Sequence, residues 1–176
     1  AGVMCCDIGN RGVALYGDKV YVATPDSHVV ALNKSDGSVA WDVTIANWED
    51  AYTMTVAPLV VKGNIIVGMS GAEYPTRLWI DALDSETGEQ VWRRYTIPGP
   101  GEPGHETWGS ARAALYGGSS AWITGSYDPE LDILYWGVGN PNPDWDGTVR
   151  PGDNLYSNST LALDPDTGAI KFYFQY

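Results

Sequence analysis

Apolar and polar residues alternate in short runs broken by turn formers, and no stretch keeps a sustained helical period. Lys19-Val20-Tyr21-Val22-Ala23, Asn64-Ile65-Ile66-Val67 and Leu131-Asp132-Ile133-Leu134-Tyr135-Trp136 have the β-branched and aromatic content of strands. The run from Val60 to Val67 reads as one buried strand leading into Gly68-Met69-Ser70-Gly71-Ala72-Glu73. Behind each run a hairpin pattern returns. Ala31-Leu32-Asn33-Lys34-Ser35-Asp36-Gly37-Ser38-Val39-Ala40-Trp41 recurs as Ala82 to Trp92, and again as Ala162 to Phe172. Each copy predicts a strand, a turn whose glycine (Gly37, Gly88, Gly168) takes a positive φ, and a second strand reaching a large aromatic. Four strands per unit predict an all-β chain built of propeller blades. A β-sandwich would not require the same hairpin three times.

Composition agrees. The chain of 176 residues has 21 Gly and 11 Pro, and 8 Trp and 11 Tyr against 2 Phe, which suits short strands joined tightly. No apolar run approaches the roughly 18 residues of a membrane span. A net charge of −12 disfavours nucleic acid and anionic membrane surfaces as partners. The chain opens without a leader, and Ile170 to Tyr176 stops within an alternating strand pattern, so a piece of a longer chain is expected.

Three local features could carry chemistry. Gly68 to Glu73 ends a strand in small residues that permit close approach to the backbone, then supplies a hydroxyl and a carboxylate. Alone, it equally describes a strand-to-turn junction. Cys5 and Cys6 are adjacent, so bridging them would strain the backbone, and two independent thiols are the simpler reading. Arg11 offers a planar fork for a carboxylate or carbonyl, or an ordinary surface charge.

Five motifs in order resemble the pyrroloquinoline quinone (PQQ)-dependent alcohol dehydrogenases of the methanol/ethanol type. They are Cys5-Cys6-Asp7-Ile8-Gly9-Asn10-Arg11-Gly12, Tyr52-Thr53-Met54-Thr55-Val56-Ala57-Pro58, Ser70-Gly71-Ala72-Glu73, Gly137-Val138-Gly139-Asn140 and Arg150-Pro151-Gly152-Asp153-Asn154. The resemblance covers essentially the whole chain. It implies a segment of an eight-bladed β-propeller, of which this chain supplies roughly three blades.

The resemblance also implies a site. Cys5 and Cys6 would form a vicinal disulfide over one face of the quinone, and Trp122 would be the floor under the other. Thr55 and Ser70 would meet the cofactor carboxylates, with Ser120 where the family commonly has Thr. Arg11 would bond the quinone oxygens or a neighbouring carboxylate, and Gly71 and Ala72 would line the site through their backbones. Glu73 and Asn140 match the family's metal ligands, an oxygen-only set suited to Ca²⁺ or, as in a related branch, a lanthanide. The expected reaction is oxidation of a small primary alcohol by hydride transfer to metal-polarised PQQ. Electrons would pass to a cytochrome c, and the location would be periplasmic.

The chain departs from the family in three places. Gly9 replaces a common Val, and Glu106 to Gly118 lacks a second Trp that many members carry. The general-base aspartate is expected beyond Tyr176, so no catalytic residue is assigned within this chain. Asp144, Asp146 and Asp153 sit in a turn-rich loop and are expected to face water. The isolated segment is expected to be inactive. A protein-assembly scaffold built on similar repeats, or a sugar or polyol quinoprotein, are the alternatives; both should lack the Cys-Cys pair.

Overall fold

In the computed structural model, which describes residues 9–176, the strands form three antiparallel sheets of four. The first holds β1 (Ala14–Tyr16), β2 (Lys19–Ala23), β3 (His28–Asn33) and β4 (Val39–Thr44). The second holds β5 (Leu59–Val61), β6 (Asn64–Gly68), β7 (Trp79–Asp84) and β8 (Gln90–Tyr95). The third holds β9 (Ser126–Asp128), β10 (Ile133–Val138), β11 (Ser159–Leu163) and β12 (Ile170–Gln175). In each sheet the strands lie side by side in chain order, and β1 lies against β5. These are three blades, as the repeated hairpin predicts.

Two strand boundaries differ from the expectation. Val60 to Val67 is a tight hairpin, because Lys62 and Gly63 take φ of 52° and 82° and pair Val61 with Asn64. Two consecutive positive φ values are the signature of a two-residue turn, and a Lys in the first position hides it from the sequence. Leu131 and Asp132 belong to a turn, Asp132 at φ 52°, so β10 starts only at Ile133. An α-helix, α1 (Ala111–Leu115), lies in the long connection before blade three, and Ser110 caps it by accepting from the Ala113 amide. No helix among the described residues is long and apolar enough to cross a membrane.

Burial follows position in the stack. The middle blade is covered on both sides, and Trp79 to Leu83 of β7 are all buried. In β2, the residues Lys19, Tyr21 and Ala23 are buried while their neighbours are only half-buried. Phe172 and Phe174 on β12 are exposed, although the Phe174 ring meets Tyr176 edge-on at 5.2 Å. A continuous core runs from Tyr21 and Val29 through Ile65, Val67 and Ile80 to Leu134, Trp136 and Leu161.

The aromatic that ends each hairpin locks one blade to the next. Trp41 of blade one donates its indole N–H to the Ser85 carbonyl of blade two, at 3.0 Å. Trp92 of blade two does the same to the Pro165 carbonyl of blade three, also at 3.0 Å. Both rings lie against the turn glycine, so a Cβ on Gly88 or Gly168 would stand 2.9 or 2.5 Å from Cε3 of the tryptophan. At the other end of the same turns, Lys19 reaches Glu86 at 2.8 Å and Lys62 reaches Asp166 at 2.7 Å, again across blades. Within blade two, buried Asp81 accepts from Trp79 Nε1 and from Nε and Nη2 of Arg93 at 2.7–2.8 Å. Burial holds the Asp81 carboxyl above its ordinary range despite that attraction.

Candidate functional site

The register places the candidate residues at one end of the three sheets. Leu59 pairs with Ile66, and Ser126 with Tyr135, so the start of a blade's first strand and the end of its second lie at the same edge. Arg11 precedes β1, Thr53 and Thr55 precede β5, and Ser120 and Trp122 precede β9. Ser70 to Glu73 follow β6, and Gly139-Asn140 follow β10. Antiparallel pairing thus gathers five segments of distant sequence.

Hydrogen bonds tie these segments together. Ser70 and Thr53 exchange backbone bonds of 2.8 and 3.3 Å, which bring the hydroxyls of Thr55 and Ser70 to 3.1 Å. Arg11 donates its amide and Nη1 to the Thr55 carbonyl, at 3.2 and 3.0 Å. Its guanidinium lies 4.6 Å over the ring of Trp122. The Ala121 amide donates to the Met69 carbonyl at 2.9 Å, and the Gly139 amide to the Ser120 carbonyl at 2.8 Å. Arg11, Thr55, Ser70, Ser120 and Trp122 therefore form one connected surface drawn from all three blades.

Glycines permit these approaches. A Cβ on Gly68 would stand 2.0 Å from the Ala121 carbonyl oxygen, and one on Gly71, which has φ 118°, 2.3 Å from that of Ala51. At Gly139 a Cβ would come within 3.1 Å of Ser120 Oγ and 3.5 Å of Trp122 Nε1. The Trp122 side of the site is thereby left open, and Trp122 is 38% exposed although it is large and apolar. A flat aromatic turned outward, with hydroxyls and a guanidinium around it, suits a flat polar ligand.

Glu73 and Asn140 sit on adjacent turns joined through Gly118. The Gly118 amide donates to the Thr76 carbonyl at 2.8 Å, and Gly118 bridges to Pro141. A Cβ there would lie 3.1 Å from Ala72 Cβ and 3.0 Å from Asn142 Cβ. The Glu73 side is exposed, and Asn140 spends its Nδ2 on Asp144 Oδ1 at 2.5 Å, which leaves Oδ1 as an acceptor. This pair offers hard oxygen donors alone, as a Ca²⁺ or lanthanide ion requires. No group of three or more His, Cys, Asp or Glu among the described residues could hold a metal by itself. The pair would therefore need further oxygens from a ligand.

Of the expected site, Arg11, Thr55, Ser70, Gly71, Ala72, Ser120 and Trp122 are brought together, with Glu73 and Asn140 on the turns beside them. Cys5 and Cys6 lie outside the described residues. Gly118 and Met69 were missed as junctions; the Gly117-Gly118 pair in the sequence was the available signal for the first. Asp144, Asp146 and Asp153 are exposed as expected, and Asp146 also accepts from the Thr148 amide at 3.0 Å.

Comparison with known proteins agrees with this fold. Residues 42–176 match the family model described as PQQ glucose/ethanol/alcohol dehydrogenase, β-propeller domain. A quinohemoprotein alcohol dehydrogenase, ADH IIB of Pseudomonas putida, is 45% identical over 99% of this chain and 27% of its own length. Methanol dehydrogenase [cytochrome c] subunit 1 of Methylobacterium organophilum is 38% identical over 98% of the chain and 31% of its own length. The solved structure of a europium-containing methanol dehydrogenase superposes with a TM-score of 0.92 at 35% identity, over 99% of this chain and 33% of that one. The chain thus spans about 30% of the length of these relatives. Three blades whose first-strand ends carry this site belong to the PQQ-dependent glucose/ethanol/alcohol dehydrogenase β-propeller family.

Proposed function

We propose that, within a longer protein, this segment holds PQQ and a hard cation for the oxidation of a primary alcohol to an aldehyde. The observation that carries the reading is the convergence of Arg11, Thr55, Ser70 and Trp122 from three blades beside the Glu73 and Asn140 turns. Bound PQQ would supply a two-electron acceptor, which the metal would make more electrophilic. Trp122 would support the flat ring system by stacking. Thr55 and Ser70, whose hydroxyls already face each other, would donate to its carboxylates. Arg11, fixed at the Thr55 carbonyl, would place a permanent positive charge beside the reacting oxygens. Glu73 and the free Oδ1 of Asn140 would hold the cation.

None of the described acids of the 144–153 loop is assigned as the base, and an aspartate beyond Tyr176 fills that role in this reading. The europium in one related structure favours a site open to lanthanides as well as Ca²⁺. The methanol dehydrogenase relative, whose name includes cytochrome c, supports such a protein as electron acceptor; the reading places the enzyme in the periplasm. The test is reconstitution of the full-length apo protein with PQQ and either Ca²⁺ or La³⁺, followed by dye reduction with ethanol. Wild-type protein should turn over, and Glu73→Ala should lose both metal retention and turnover. Normal metal content and rate in Glu73→Ala would remove Glu73 from the site.

A further inference from the structure

Beside the site lies a cleft of about 630 Å³ that the reading above leaves unused. Its walls are α1 with the residue after it, the turn that follows Glu73, and the loop that follows Asn140. Pro75 and Asn142 on those walls stand two positions from Glu73 and Asn140, so the cleft shares its backbone with the candidate metal turns. Tyr116, Pro143 and Val149 add apolar surface. Two guanidiniums, of Arg112 and Arg150, enter it as well.

The charge here is unusual for so acidic a chain. Lys19, Lys62, Arg77, Arg93, Arg94 and Lys171 all stand in ion pairs among the described residues. Arg11, Lys34, Arg112 and Arg150 have no such carboxylate among the described residues; Lys34 lies in the first hairpin turn and donates to the Gly17 carbonyl, while the three arginines lie in segments at the site end. Arg150 is fixed by donating to Asn154 Oδ1 at 2.9 Å and to the Pro143 carbonyl. Arg112 rests 5.3 Å over Tyr116 and donates to no group among the described residues. The acids of the same loop bond to neighbours, Asp144 to Asn140 and Asp146 to Thr148, and the Asp146 carboxylate also feels the charge of Arg150 but not that of Arg112.

We propose that this cleft receives the end of the substrate remote from the reacting hydroxyl, and that Arg112 selects alcohols bearing a terminal carboxylate, such as ω-hydroxy acids. The inference rests on the dehydrogenase reading for its reaction, but the binding step stands apart from it. The apolar walls take the alkyl chain, and the fork of Arg112 meets a carboxylate. An exposed pair of this kind is worth only a modest factor.

The experiment compares 6-hydroxyhexanoate with 1-hexanol on the full-length holoenzyme, alongside calorimetric binding of hexanoate. Arg112→Ala should lower kcat/KM for the hydroxy acid by about fivefold through KM, with the rate on 1-hexanol little changed. Arg112→Lys should restore part of the loss. Equal effects on both alcohols would overturn the proposal. If neither alcohol is oxidised, the dehydrogenase reading fails, and hexanoate binding decides the cleft on its own. Binding to the wild type that weakens in Arg112→Ala supports it; binding that is absent, or indifferent to Arg112, overturns it.

Discussion

The guanidinium of Arg11, ahead of the first strand of blade one, lies 4.6 Å over the ring of Trp122, ahead of the first strand of blade three. Blade two supplies the anchor, because the Thr55 carbonyl accepts from both the amide and Nη1 of Arg11. One planar cation and one planar ring are thus held together by a third segment.

That arrangement makes cofactor retention sensitive to either partner. Trp122→Ala should weaken PQQ binding to the full-length protein by about tenfold or more, since both stacking and buried area are lost. Arg11→Lys should weaken it less than Arg11→Ala, because the charge survives while the planar fork does not. Equilibrium titration followed by quinone absorbance measures both.

The tryptophan between blades two and three should be a stability determinant. Trp92→Ala removes a buried ring, and losses of about 3–5 kcal/mol are usual for such a change. Trp92→Phe keeps most of the packing but leaves the Pro165 carbonyl without its donor, a loss of about 1–3 kcal/mol. Gly168→Val should also destabilise, because its Cβ meets the indole and its φ of 66° disfavours a branched side chain. Urea midpoints of the full-length variants check the order.

Two glycines of blades two and three should respond unequally to the same substitution. Gly68→Ala would push a Cβ into the Ala121 carbonyl at 2.0 Å and displace the segment that carries Trp122. It should cost about 1–3 kcal/mol or more and weaken PQQ binding. At Gly137 the corresponding space is open, with no atom within 4 Å. Gly137→Ala should leave folding and binding nearly unchanged, as thermal melts and the same titration would show.

Acid should loosen the repeated turns of blades two and three. Asp84 accepts at Oδ1 from the amides of Glu86 and Thr87, both at 2.9 Å, which holds its carboxyl below the usual range. Asp164 is lowered too, chiefly by Lys171 and also by bonds to the same turn positions. A lowered folded-state pKa gives stability that is present above the unfolded value near 3.8 and lost as pH falls through the folded one. Asp84→Asn combined with Asp164→Asn keeps an acceptor oxygen but removes the titration. The double variant should lose less stability than the wild type between about pH 5 and pH 2, as urea unfolding across that range would reveal.

The sequence by itself determined the repeating unit. Strand propensity and the Asp/Asn-x-x-x-Gly turn are local properties, so Gly37, Gly88 and Gly168 could be read as positive-φ positions, and they have φ of 74°, 75° and 66°. The exception shows the same rule, since Lys62 took a positive φ that its side chain does not advertise. Tertiary structure alone decided what the hairpin aromatics do. Trp41 and Trp92 bond the next blade, while Phe172, their counterpart, lies exposed. The site followed the same division. Most of its residue types were legible in the five motifs, with Ser120 and Trp122 outside them, but their meeting depended on blade register and on glycines such as Gly68 and Gly118, where backbones from distant segments touch. Local pattern reports what each segment prefers. Which segments come into contact is set by how the blades stack, a long-range packing result that no single stretch encodes.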